Sequence, residues 1–370
     1  MNKQKKILLV QLYSNGDCLY ATAIARQIKK DYPGCTLTWA IASFCKNIIL
    51  NNPYIDHVLE VTEVIKDKVT TYRKFKKKII KRKKDGEWDE IFFTNLIDDQ
   101  QANYDGSIRS SIFRGYNLSI TTPITPVLEL LPDEKKNVTG FVDTHQLNLF
   151  KNVLLFEFAP QSKQSAMTPS LAIEIAEKIT KDKSIAVILS SALKINHSSP
   201  NIIDGSILSL RETAFLTNYC TLLLGSSSGI TWASTSSTAK LLPMIQLLDI
   251  AAKSWANPVS RDFNRFGISS EKLIELTSFN QETVVDCVRK ALYDFKEAKK
   301  IYHQQFPVHF NASRNIVYNL LCYANFGAII RHIKINISVY GYRMSFFKEV
   351  IAGFLIFPFR LIRNLTQKRH

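Results

Sequence analysis

The chain has 370 residues, of which 46% are hydrophobic and 22% charged, and its formal net charge is +16. This length predicts two domains, and the apolar fraction argues against a disordered protein. The first apolar run, at 7–10, is too short for a secretory signal, and no apolar stretch has the length that spans a bilayer. We therefore expect a cytoplasmic globular protein that binds an anionic partner.

The cysteines and histidines form no pattern typical of a metal centre or of a disulfide framework. None of the six cysteines belongs to a Cys-x-x-Cys pair, and none lies at zinc-finger spacing from a histidine. We interpret the cysteines as reduced thiols and assign no metal site and no cofactor. None of the seven histidines stands with a serine or cysteine in a way that indicates a catalytic triad.

Strands and helices alternate along the chain, and the alternation restarts near Lys151. This order predicts an α/β protein with two Rossmann-like, doubly wound parallel-sheet domains that face a cleft, followed by a helical extension. We draw the boundaries at 1–145, 146–300 and 301–370. The predicted strands are 6–12, 37–42, 58–61, 88–94, 152–159, 184–190, 221–225 and 241–247. The predicted helices are 19–31, 44–50, 169–179, 210–219, 230–235, 282–302, 313–332 and 346–364.

The turn Ser14-Asn15-Gly16-Asp17 follows the first predicted strand. Gly16 permits a tight strand-to-helix connection, and Asp17 then stands at the start of the helix. A carboxylate at this edge of the sheet can act as a general base toward an acceptor hydroxyl. It can also serve only as a helix cap, and the spacing alone favours that simpler role.

A second turn, Gly225-Ser226-Ser227-Ser228-Gly229, lies between a predicted strand and a predicted helix. Its small residues allow a phosphate to approach the backbone, and the helix start offers N–H donors. This suits a diphosphate leaving group, but an ordinary strand-to-helix turn has the same composition. The turn is neither a Walker loop nor a G-x-G-x-x-G motif.

A third loop, 159–164, also follows a strand and contains Ser162 and Lys163. Both side chains can contact phosphate. A solvated lysine in a surface loop is an equally good interpretation of the same residues.

Basic residues concentrate in the segment 66–84 and in the tail 331–370. Across 345–367 an apolar stripe rich in phenylalanine lies opposite a stripe that contains Glu349 and Gly353, and Pro358 is expected to kink the helix. Such a helix suits a membrane interface with anionic lipids, an interpretation that we favour, or a dock on the protein's own surface. The basic segment 66–84 can instead be a solvated helix face.

Several of these segments, taken in order, resemble the heptosyltransferase-like family, glycosyltransferase family 9. The resemblance covers most of residues 5–250. The matching stretches are Lys6-Ile7-Leu8-Leu9-Val10, Ser14-Asn15-Gly16-Asp17, Tyr32-Pro33, Asn52-Pro53-Tyr54-Ile55-Asp56, Asp105-Gly106-Ser107-Ile108-Arg109-Ser110, Leu210-Arg211-Glu212 and Gly225-Ser226-Ser227-Ser228-Gly229.

The resemblance implies a GT-B fold with an N-terminal acceptor domain and a C-terminal nucleotide-sugar donor domain. It also implies inverting, metal-independent transfer with Asp17 as the general base, and it makes Lys163 the nearest match to a lysine that contacts phosphate. The implied acceptor-side residues are Ser14, Asn15, Gly16 and Arg109. The implied donor-side residues are Ser162, Lys163, Ser226, Ser227, Ser228 and Gly229.

The sequence departs from the family pattern at two positions of the donor turn. The family typically has an aspartate before the Ser-Gly pair and a histidine three residues after the glycine, where this chain has Ser227 and Trp232. The donor is then a sugar nucleotide other than ADP-heptose, or the site has degenerated.

From these features we expect a hexosyl- or heptosyltransferase that acts on a glycan or lipid-linked acceptor in cell-surface polysaccharide or lipopolysaccharide synthesis. We expect it to lie at the cytoplasmic membrane face and not to bind nucleic acid. The rival functions are a sugar-nucleotide epimerase and a non-catalytic basic module that binds a membrane or nucleic acid.

Overall fold

The computed structural model describes residues 4–159, 165–249, 258–277 and 279–367, and for 159 and 359–367 it describes the backbone only. The strands are β1 (Lys6–Val10), β2 (Thr36–Ala42), β3 (His57–Val61), β4 (Glu90–Phe93), β5 (Asn152–Ala159), β6 (Ile185–Ser191), β7 (Ile202–Asp204), β8 (Leu222–Gly225), β9 (Met244–Leu247) and β10 (Leu273–Leu276). The α-helices are α1 (Asn15–Asp31), α2 (Val69–Lys84), α3 (Ile108–Arg114), α4 (Pro132–Thr144), α5 (Pro169–Ile179), α6 (Leu210–Leu216), α7 (Gly229–Ala233), α8 (Val259–Arg265), α9 (Gln281–Tyr293), α10 (Phe295–Tyr302), α11 (Asn311–Cys322), α12 (Phe326–Tyr340) and α13 (Met344–Gln367).

The chain divides into two compact units. Unit 1 takes in the described residues of Met1–Asn47, Pro53–Pro123 and Pro307–His370, and unit 2 those of Ile48–Asn52 and Ile124–Phe306. The division differs from the sequence-based boundaries at 145 and 300. The reason is side-chain packing: α4 packs on α6 in unit 2, and α11 to α13 return to the unit that holds the first sheet.

Unit 1 is built on a parallel sheet with strand order β3-β2-β1-β4. Strand β1 lies between two neighbours, and Ile7 to Val10 are fully buried, which agrees with its continuous apolar run. Because the strands are parallel, their carboxyl ends share one edge of the sheet, and the turn that leads into α1 lies at that edge.

Unit 2 is built on a larger parallel sheet with strand order β10-β9-β8-β5-β6-β7. Its core joins the apolar residues of β5, β6 and β8 to the buried faces of α5 and α9. Helix α5 begins at its capping residue Thr168, whose hydroxyl accepts from the N–H of Leu171, with Pro169 in the first turn. The predicted pair of doubly wound parallel sheets is confirmed.

The C-terminal helices of unit 1 enclose a second core. Phe310, Ile316 and Phe346 meet Ala102 and Tyr104 there. The predicted helix 313–332 is wrong in one respect, since α11 and α12 are separate helices. The chain turns between them at Ala324, which has a φ of 52°.

Helix α13 is held on α11 by an ion pair and by close backbone packing. Glu349 accepts from Arg314 at 2.8 Å, and a Cβ atom added to Gly353 would lie 2.8 Å from the Arg314 carbonyl oxygen. The sequence places Glu349 and Gly353 on the polar stripe, and the structure corrects this, because both residues are buried. The helix continues through Pro358 to Gln367. Within the described residues, no helix has both the length and the apolar character needed to cross a membrane.

Candidate functional site

Asp17 lies in the first turn of α1, directly beyond the carboxyl end of β1. The backbone N–H of Ser14, the capping position, donates to the half-buried Asp17 carboxylate. Burial raises the pKa of Asp17 to about 7, although the Ser14 N–H and the nearby charge of Lys66 lower it. A carboxyl group with this pKa can accept a proton near neutral pH.

The turn that carries Asp17 is fixed by polar side chains that were not among the predicted site residues. Asn95, just after β4, accepts from the N–H of Leu12 at 2.8 Å and donates to the Tyr13 carbonyl oxygen at 3.1 Å. Gln11 donates to the same carbonyl at 2.8 Å and accepts from the Thr94 hydroxyl. Gln11 directly follows β1 and Asn95 lies two residues beyond β4, and polar residues at the carboxyl ends of parallel strands are the sequence signal for such a role.

The four predicted acceptor-side residues occupy two environments. Ser14, Asn15 and Gly16 lie with Asp17 in one partly exposed turn. Arg109 is buried on α3, where its guanidinium carbon lies 4.7 Å from the centroid of the Tyr20 ring. Tyr20 is one helical turn beyond Asp17, so Arg109 packs against α1 close to the turn.

The segment around Arg109 is organised by Asp105. Its carboxylate accepts from the Ser107 N–H at 3.1 Å, from the Ser110 hydroxyl at 3.0 Å and from Arg114 at 2.6 Å. These bonds hold the start and the end of α3. The first residue of the family-like stretch 105–110 therefore has a structural role.

In unit 2, the serine-rich turn lies over the buried carboxylate of Glu157 from β5. The Ser228 hydroxyl and the N–H groups of Ser226 and Ile230 donate to this carboxylate. Burial raises the pKa of Glu157 to about 7, although these N–H groups and the Thr231 hydroxyl lower it. Glu157 was not among the predicted site residues, and its sequence signal is a single carboxylate inside the apolar strand LLFEFA.

The amide side chain of Gln246, on β9, binds the same turn. Its Oε1 atom accepts from the Ser227 N–H at 2.6 Å and from the Thr231 hydroxyl at 3.2 Å. Three N–H groups that the prediction offered to a phosphate thus bind side chains of unit 2. Helix α7, which follows, has only five residues, so the turn leads into a short helix.

The stretch Leu210-Arg211-Glu212 also has structural partners. Arg211 donates to the Glu134 carboxylate, and Glu212 accepts from the N–H of its capping residue Ser209 and from Asn137. These contacts attach α6 to α4. This family-like element serves the packing of unit 2.

Comparison with known proteins gives matches in structure. No protein-family model matches the sequence, and no curated protein matches it. A glycosyl transferase family 9 protein from Veillonella parvula aligns with a TM-score of 0.53 and 13% identity, over 78% of this chain and 97% of that chain. The ADP-heptose LPS heptosyltransferase II of E. coli aligns with a TM-score of 0.51 and 13% identity, over 79% of this chain and 99% of that chain. The fold is GT-B.

At this level of identity the comparisons confirm the predicted GT-B fold, and they confirm that this fold resembles that of family 9 proteins. They leave the chemistry to the residues of this chain. Ser162 and Lys163 lie outside the described residues. Ser227 has a φ of 53°, and Trp232 packs edge-to-face on Phe263, with ring centroids 6.4 Å apart.

Proposed function

We propose that this GT-B protein is a glycosyltransferase that moves a sugar from a nucleotide-sugar donor to a hydroxyl of a glycan or lipid-linked acceptor. The proposal rests on one observation about Asp17. Its carboxyl group is partly exposed at the carboxyl edge of the first sheet, and its pKa is raised to about 7. The structural neighbours, named as family 9 and heptosyltransferase proteins, agree with this chemistry.

In the proposed reaction Asp17 takes the proton of the acceptor hydroxyl as its oxygen attacks the anomeric carbon. The bond from that carbon to the diphosphate breaks, and the configuration inverts. Ser14, Asn15 and Gly16 shape the acceptor side of the turn. Arg109 supports this side by packing on Tyr20.

The donor diphosphate is proposed to bind at the serine-rich turn of unit 2. Glu157 and Gln246 already accept from Ser226, Ser227 and Ile230, so the remaining N–H groups of the turn are those of Ser228 and Gly229. Two inward-facing acceptors make the turn rigid, and a rigid pair of donors stabilises a developing charge with little reorganisation. Ser162 and Lys163 are proposed to contribute further phosphate contacts.

The reaction is proposed to need no metal ion. One structural neighbour is named as an ADP-heptose lipopolysaccharide enzyme, and cell-surface glycan synthesis at the cytoplasmic membrane face is our proposal for this chain. Ser227 and Trp232 leave a sugar nucleotide other than ADP-heptose as the expected donor.

The first experiment is a thermal-shift screen of the full chain against ADP-, UDP-, GDP- and CMP-sugars. A ligand that binds the native state raises the melting temperature, so one nucleotide class is expected to give a dose-dependent rise. The donor found in this way then enters a transfer assay with candidate acceptors. Asp17→Asn should abolish transfer and keep the thermal shift. The control is Asp85→Asn, which changes an exposed carboxylate at the end of α2 and should keep both transfer and thermal shift.

The rival functions give different results in the same assays. An epimerase converts the sugar nucleotide without an acceptor. A basic nucleic-acid module would show salt-sensitive RNA binding and no nucleotide-sugar shift. The structure gives no support to base stacking in the segment 66–84, because its aromatic residues Tyr72 and Phe75 are buried.

A further inference from the structure

Helix α13 is apolar on two opposite faces. One face packs on α11 through Phe346, Val350 and Gly353. The other face points away from unit 1 and remains apolar. Its exposed side chains are Met344 (84% exposed), Ile351 (56%), Phe354 (43%) and Leu355 (63%). A helix whose solvent face is this apolar usually marks an interaction surface.

The start of this outward face carries aromatic and basic groups. Tyr342 is 84% exposed and stacks on Phe347, with ring centroids 6.2 Å apart. Arg343 and Lys348 are exposed beside it. Apolar and aromatic side chains flanked by cations are typical of a helix that lies in a bilayer interface.

A stripe of lysines runs along α2 in the same unit. Lys74, Lys77, Lys81 and Lys84 are exposed and recur at the helical period, so they share one face. Other cations of this helix are ion-paired and hold it to unit 1: Arg73 with Asp98, Lys76 with Asp99, Lys78 with Glu63, Arg82 with Glu87 and Lys83 with Glu90. The lysine stripe is therefore the part of α2 that can bind an external anion.

The C-terminal part of α11 and the residue just beyond it contact both helices. Tyr318 packs against Phe357 of α13, with ring centroids 6.3 Å apart. Tyr323, just beyond α11, lies under the guanidinium of Arg73 from α2, 3.5 Å from ring centroid to carbon. Helices α2 and α13 therefore flank the same end of α11.

We propose that the outward face of α13 binds the interfacial region of an anionic lipid bilayer, with the lysine stripe of α2 on the headgroups. The charge distribution favours a bilayer over a second copy of this chain. Residues 331–370 contain eight lysines and arginines and one acidic residue, Glu349, which is already paired with Arg314. Two such surfaces would repel each other, whereas each basic residue near an anionic membrane strengthens binding.

The inference extends the proposed function by naming the surface through which a lipid-linked acceptor would be reached. It rests on the surface of unit 1 and does not require Asp17 to act as a base. Failure of transfer and failure of membrane binding are therefore separate results, because vesicle binding is measured without a sugar nucleotide.

The test is co-sedimentation of the full chain with vesicles of POPE and POPG and with vesicles of POPC. We expect binding to the anionic vesicles that weakens in high salt, and much weaker binding to POPC. The triple variant Ile351→Ser/Phe354→Ser/Leu355→Ser should bind more than about 50-fold more weakly. Replacing the four stripe lysines by Gln should weaken binding at least about 20-fold and reduce its salt dependence, while the basic residues of α13 keep part of it.

Matched controls come from unit 2. Leu149→Ser/Ile207→Ser/Tyr293→Ser removes three exposed apolar side chains, and Lys135, Lys136, Lys181 and Lys183 can be changed together to Gln. Both control variants should bind the anionic vesicles within about twofold of the parent protein. Equal losses in test and control variants would overturn the proposal. So would a dimer in solution that the α13 triple variant dissociates, with no vesicle binding by the parent.

Discussion

Arg211 binds Glu134 through two hydrogen bonds inside unit 2. The distances are 2.7 Å from Nε to Oε1 and 2.8 Å from Nη2 to Oε2, and Arg211 is only 2% exposed. The same guanidinium donates to the carbonyl oxygens of Leu50 and Glu129. One side chain on α6 therefore binds both α4 and the segment 48–52, which lie far from α6 in the sequence.

Replacing Arg211 by Ala should lower the free energy of unfolding by about 3–5 kcal/mol, because Glu134 is left as a poorly solvated carboxylate without its partner. Burial tends to raise the pKa of Glu134, but Arg211 and the Leu131 N–H lower it below its usual value. Urea denaturation measures the change. Arg211→Met combined with Glu134→Leu should cost less than the single change, and an equal or larger cost would contradict this account.

Glu157 should make the protein less stable as the pH rises. Its folded-state pKa is about 7, above the usual 4.5, so the folded state holds the proton over a range where the unfolded state has lost it. The stabilisation is complete below about pH 4.5 and is lost as the pH passes through about 7, with a maximum size of about 3 kcal/mol.

Glu157→Gln removes this titration. Urea denaturation should show that the variant has a lower free energy of unfolding than the parent at about pH 5. At about pH 8 the two free energies should lie closer together. If the difference in unfolding free energy between variant and parent were the same at both pH values, the Glu157 carboxylate would not titrate as the structure indicates.

Asp17 should determine the acidic limb of the pH profile of kcat/KM for transfer. A base must be deprotonated, so kcat/KM should fall about tenfold per pH unit below about pH 7 and level off above it. The charges of two loop residues provide the test. Lys66 lowers the pKa of Asp17 and Asp67 raises it, each by a smaller effect than burial.

Lys66→Gln should therefore move the acidic limb to higher pH, and Asp67→Asn should move it to lower pH. Both side chains are exposed, so folding should be preserved. Shifts in the same direction, or none in either variant, would assign the limb to a group other than Asp17.

Gly353 should be essential for the dock of α13 on α11. A Cβ atom at this position would lie 2.8 Å from the Arg314 carbonyl oxygen and from Val317 Cβ. Gly353→Ala should destabilise the protein by about 1–3 kcal/mol, because backbone cannot yield to the added methyl group. Urea denaturation measures the loss.

Gly327→Ala is the matched control on α12, since nothing lies within 4 Å of its added Cβ. Alanine there should be neutral or stabilise by up to about 1 kcal/mol through helix propensity. If both alanine variants behaved alike, close packing at Gly353 would not be what holds α13.

The parallel sheets could be predicted because their signals are local. Strand β5 and helix α5 lie at the predicted residues, since a continuous apolar run forms a buried strand and the Thr168-Pro169 pair begins a helix. The predicted helix 282–302 is two helices, because Asp294 ends α9 and its side chain accepts from the Glu297 N–H to begin α10. A capping residue inside a periodic pattern is easily missed.

The candidate site divides in the same way. The α/β fold and the position of Asp17 at the end of a strand could be predicted, since both follow from the order of residues within one turn or one strand. Long-range contacts determine that N–H groups of the serine-rich turn bind Glu157 and Gln246, and that α13 buries Glu349 and exposes Phe354. These outcomes depend on residues far apart in the chain, because hydrogen-bond partners and packing faces are chosen when distant segments meet.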